Sequence, residues 1–80
     1  MKQLLDVTRV EARPDRTLLL EFENGETRRF DMAPLLVKKP FIALADITLF
    51  LKAHIQSGTV AWPGDIDIAP ETLYEKSNPA

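Results

Sequence analysis

The segment TLLLEFENGETRRF, residues 17–30, constrains the fold more than any other stretch, because apolar and polar side chains alternate on either side of a single glycine. Alternation sends successive side chains to opposite faces of a strand, and a short polar break carrying Asn-Gly folds such a run back on itself as a hairpin. Two turns are open to it. A two-residue Asn24-Gly25 loop would pair Phe22 with Thr27 and put Phe30 on the face opposite Leu18 and Leu20, scattering the apolar set. A three-residue loop, Glu23-Asn24-Gly25 with Gly25 left-handed in a bulge, sets Phe22 across from Glu26 and Leu18 across from Phe30. The second register gathers Leu18, Leu20, Phe22 and Phe30 on one face and is the one expected.

Upstream, Leu5, Val7, Val10 and Ala12 suggest a first strand whose parity slips, so a bulge is expected near Thr8-Arg9. Downstream, DMAPLL reads as a short helical turn with Pro34 in its first turn and Leu35 and Leu36 facing the core. Asp46 is a good N-cap for ITLFLKAHI, where Ile47, Phe50, Leu51 and Ile55 follow helical spacing, which predicts a short helix ending near His54. IQSGTVAW predicts a second hairpin turning at Ser57-Gly58, with Ile55 opposite Val60 and Trp62 on the face of Val60. Pro63-Gly64 breaks that strand. Pro70 then opens a final helix with the poor N-cap Ala69, Ile68 is placed to staple against Leu73, and residues 77–80 read as a frayed tail. The expected architecture is α+β, antiparallel β-hairpins packed with short helices in the order roughly β-β-β-α-β-β-α, as one small domain over residues 1–80.

Composition narrows the chemistry. There is no cysteine, which removes disulfides, thiolate nucleophiles and cysteine-based zinc sites together. No apolar run approaches the ~20 residues needed to span a bilayer, and the N-terminus lacks the pattern of a secretory signal, so a cytoplasmic protein that does not enter the membrane is expected. The net charge of −2 argues against nucleic-acid binding by this chain alone, since that binding depends on basic side chains neutralising phosphates. The basic pairs Arg28-Arg29 and Lys38-Lys39 read as solvated surface, with neighbouring strand residues pointing to opposite faces. Three isolated glycines build no phosphate-binding loop.

Two kinds of site remain. His54 is the only histidine and would carry any imidazole chemistry; with Asp65, Asp67 and Glu71 it could form a small metal-dependent hydrolase if all four converged in one pocket. The ligand set is incomplete for a calcium loop, and each acid has an ordinary role in a turn or at a helix start, so no catalytic residue, metal or cofactor is expected. Trp62 and Tyr74 are large aromatics with one polar atom each, suited to anchoring either a small core or an interface. Trp62, Tyr74, Phe41, Arg28 and Arg29 are the candidate partner contacts.

The pattern Phe22, Gly25, Phe30-Asp31, Pro34-Leu35-Leu36, Phe41, Leu44, Phe50, Trp62-Pro63, Asp67 and PETLY at residues 70–74 resembles the small bacterial family numbered 2442 among the domains of unknown function. The resemblance covers nearly the whole chain and is most specific from Trp62 to Tyr74. It implies an α+β fold of short helices on antiparallel sheet, and no catalytic residues. It further implies a bacterial cytoplasmic protein, frequently encoded beside another small protein in the manner of a toxin–antitoxin pair. Some members carry a helix-turn-helix after this domain and would be DNA-binding regulators; that activity does not transfer to these residues. The expected function is therefore a non-catalytic module binding a small partner protein, with the hydrolase and a nucleic-acid-linked regulator as alternatives and a homo-oligomer as a further option.

Overall fold

A computed structural model describes residues 5–80 as two antiparallel sheets joined by a short helical connection. The expectation of a mature N-terminus rests in part on residues 1–4, which lie outside the described residues. The larger sheet holds β1 (Val7–Ala12), β2 (Thr17–Phe22), β3 (Thr27–Asp31) and β7 (Asn78–Pro79), in the order β1-β2-β3-β7. The smaller holds β4 (His54–Gln56), β5 (Thr59–Trp62) and β6 (Ile66–Ile68) in sequential order. Between them run two 3₁₀ turns, Ala33–Leu35 and Phe41–Ala45, and helix α1 (Ile47–Phe50); α2 (Pro70–Lys76) precedes β7. This is an α+β fold.

The first hairpin adopts the three-residue turn. Leu18 pairs with Phe30, Phe22 N–H donates to Glu26 O at 2.9 Å, and Gly25 sits at φ +88°. Leu18, Leu20, Phe22 and Phe30 are all buried on one face. The β1–β2 register shifts between Val7 and Arg9, the bulge that the parity slip requires. Ser57 and Gly58, both at positive φ, turn the second hairpin and set Ile55 against Val60. Asp46 caps α1 by accepting from Thr48 N–H at 3.0 Å, whereas Ala69 gives α2 no side-chain cap.

Three elements differ from the sequence reading. Helix α1 stops at Phe50 rather than near His54. A longer helix would give the Phe50 carbonyl to the N–H of His54, but it accepts instead from Ala53 N–H at 3.3 Å and from the Trp62 indole at 2.9 Å, while residues 54–56 pair with β5. Pro63 and Gly64 do end β5, but the sequence reading has no strand after them: the chain turns through Asp65 at φ +61°, and β6 returns along β5 with Trp62 opposite Ile66. Within the tail expected to fray over residues 77–80, Asn78–Pro79 instead pairs with β3 as a two-residue strand. Arg28 pairs with Pro79, Arg29 with Asn78, and Ala80 N–H reaches Thr27 O at 3.1 Å.

The sheets are tied where β1 begins. Val7 N–H donates to Gly58 O at 2.8 Å and Glu23 N–H donates to Asp6 O at 2.9 Å, so the same few residues touch both hairpin turns. A Cβ on Gly58, which lies at φ +78°, would fall 2.6 Å from an Asp6 carboxylate oxygen. One core runs through both sheets and the connection, from Val7, Leu20 and Phe22 through Leu44 and Phe50 to Trp62, Ile68 and Leu73.

Candidate functional site

Two of the five candidate contacts meet in one network on the core side of β3. Arg28 and Phe30 share a parity, so the Arg28 side chain runs along the sheet toward α2 rather than into solvent. Its Nε donates to Ser77 Oγ at 2.6 Å, Nη2 to Ser77 O at 2.9 Å, and Nη1 to Glu26 Oε1 at 3.0 Å. Tyr74 OH donates to Glu26 Oε2 at 2.6 Å, an oxygen that also accepts from Asn24 Nδ2. The guanidinium lies over the Tyr74 ring, 4.5 Å from its centre, and Phe22 meets that ring edge-on at 5.2 Å. The Tyr74 hydroxyl, then Asn24 and Arg28, hold the Glu26 carboxyl below the usual glutamate range, while the bond to Glu26 pushes the Tyr74 hydroxyl above the usual tyrosine value. Each of the three guanidinium nitrogens of Arg28 donates a hydrogen bond within the chain. The cluster fastens α2 and β7 to the first hairpin.

The other three candidates separate. Trp62 is 2% exposed, stacks on Phe50 at 6.2 Å between ring centres, and gives its N–H to Phe50 O, so its side chain is core and offers a partner nothing. Arg29, on the opposite face of β3 from Arg28, is exposed. Phe41 is half-buried at the start of the second 3₁₀ turn and packs against the core.

His54, Asp65 and Asp67 do come together, lining one shallow depression of about 250 Å³. The register explains two of them: Ala61 pairs with His54 on one side and Asp67 on the other, so His54 and Asp67 share a sheet face, and Asp65 joins them from the turn between β5 and β6. Glu71 is not part of the lining, and among the described residues no group of three or more histidine or carboxylate side chains is arranged to hold a metal ion. The four-residue convergence that the hydrolase requires is therefore not formed. His54 Nδ1 lies 3.1 Å from Lys52 O and its ring meets no carboxylate at hydrogen-bonding distance.

Sequence reasoning missed a different surface. The large hydrophobic side chains exposed among the described residues are Val37 (78%), Ile42 (52%) and Leu51 (46%), and all three belong to the connection between the sheets. Leu51 follows a helical spacing with Ile47, Phe50 and Ile55, and that helix face ceases to exist when α1 ends at Phe50. The available signal was the crowding of apolar residues in PLLVKKPFIAL, more than one-turn helices can bury on one side. Lys38, Lys39 and Lys52 are exposed beside them.

A family model described as "Protein of unknown function (DUF2442)" matches residues 7–79. No curated protein and no solved structure matches the chain.

Proposed function

The chain belongs to the DUF2442 family, whose function is unknown, and from that premise we propose that it is a non-catalytic protein-binding module that docks a small partner protein. The partner is the product of the neighbouring gene, with this chain acting as the antitoxin-like member of a two-gene pair in the cytoplasm. The observation that carries this role is the exposure of Val37, Ile42 and Leu51 on one connection, while among the described residues the other large apolar side chains are buried or half-buried. Apolar side chains left in water close together mark interaction sites, and these three fall within fifteen residues of one connection. Phe41 lies within the same connection and is the candidate contact that fits this surface best; Arg29 is accessible on the outer sheet face.

Co-expression with the adjacent gene product tests the role. The two proteins are expected to co-purify, and this chain is expected to relieve growth inhibition by its neighbour. Separate elution together with unrelieved inhibition would reject the role.

A further inference from the structure

We propose that the partner contributes an acidic, apolar-bearing segment that docks on residues 33–52, its apolar side chains against Val37, Ile42 and Leu51 and its carboxylates toward Lys38, Lys39 and Lys52. This rests on the protein-binding role and specifies the chemistry of the partner. The whole chain carries a net charge of −2, yet residues 33–52 hold three lysines against the single acid Asp46. Asp46 is itself engaged at the start of α1, where it accepts from Thr48 N–H. The lysines flank the exposed apolar positions directly, since Lys38-Lys39 follow Val37 and Lys52 follows Leu51. All three are exposed, and none takes part in the ion pairs Arg9–Glu21, Arg13–Glu11 and Arg28–Glu26. Exposed apolar positions with lysines next to them in sequence, in a connection holding one acid, select a partner that brings both apolar contact and carboxylates.

The same charges disfavour the other occupants. A second copy meeting this face across a two-fold axis would oppose lysines to lysines with one aspartate to offset them. An anionic lipid surface is bound by an amphipathic helix lying in the interface, and here Ile42 sits on a five-residue 3₁₀ turn while Val37, Leu51 and the three lysines lie outside the three-, five- and four-residue elements of the connection.

The test measures affinity of the full chain for the adjacent gene product by titration calorimetry, with the melting temperature of each variant checked first. Ile42→Asp and the double variant Lys38→Glu/Lys39→Glu are each expected to weaken binding by tenfold or more, in the manner of central contacts, and added salt to weaken the wild-type complex. Arg9→Glu, on the outer face of the larger sheet, is expected to bind as wild type. Binding that survives both patch variants but is lost in Arg29→Glu would overturn the inference and leave the protein-binding role standing. Tighter binding by the double glutamate variant would overturn it too, by showing a basic partner segment. Wild-type binding to phosphatidylglycerol vesicles that Ile42→Asp abolishes would reassign the surface to lipid. A folded wild-type chain that forms no complex at all removes the protein-binding role and this inference with it.

Discussion

Single residues decide the two turns and the centre of the core. Gly25 at φ +88° meets nothing where a Cβ would go, so its requirement is purely conformational. A side chain held left-handed costs roughly 1–2 kcal/mol, so Gly25→Val should lower the denaturation midpoint by that much without changing the fold. Gly58→Ala adds the need for Asp6 to move aside and should cost at least as much, read in the same urea titration. Trp62 fills the core and satisfies Phe50 O; Trp62→Ala should cost about 3–5 kcal/mol, enough to unfold most of a chain this size, whereas a merely interfacial tryptophan would leave the midpoint unmoved. The Gly25 turn and the Asp46 cap were legible in the sequence because each depends on neighbours within three residues. The Trp62–Phe50 bond was not, since it joins residues whose proximity only the finished fold creates.

Elements were legible in proportion to their length and repetition. The β2–β3 hairpin has alternation on both arms and a turn signal between them, and even its register followed from keeping Phe30 with Leu18. Strands β6 and β7, of three and two residues, carry too few alternations to be seen and exist because partners on β5 and β3 accept them. The segment that leads into β7 is also fastened by the Arg28–Glu26–Tyr74–Ser77 cluster, and this gives the C-terminal segment a dependence on pH. Glu26 has its pKa depressed by Tyr74, so its contribution is present above the ordinary glutamate value of ~4.3 and is lost as pH falls through the lower folded value. Tyr74 has its pKa raised by Glu26, so its contribution is present below ~10 and is lost as pH rises through the higher folded value. Amide exchange of residues 74–80 should therefore increase at both extremes before that of β1–β2–β3. In Tyr74→Phe the Glu26 carboxyl should titrate closer to its ordinary value, by NMR, though still depressed by Asn24 and Arg28. Glu26 titrating in the ordinary range in the wild type would contradict the cluster.

At the scale of the whole molecule, two sheets share one core and the connection between them carries the apolar surface that the core leaves in water. The sequence showed the fold class, since α+β follows from two hairpins and proline-started helices. The candidate site was less legible because aromatic chemistry identifies Trp62 and Tyr74 without revealing which way they face; one is core and the other is bonded to Glu26. The exposure of Val37, Ile42 and Leu51 was not legible because aliphatic residues are ordinarily core and Leu51 fits a helical spacing; it follows only once the helices prove to be three to five residues long. The most direct test of the central claim, that residues 33–52 form the binding face and the sheets its frame, is amide hydrogen exchange of the full chain with and without the adjacent gene product. Protection gained across residues 36–52, with the amides of the His54–Asp67 depression unchanged, is the predicted result. Protection centred on residues 54–67, with residues 36–52 exchanging as in the free chain, would contradict it.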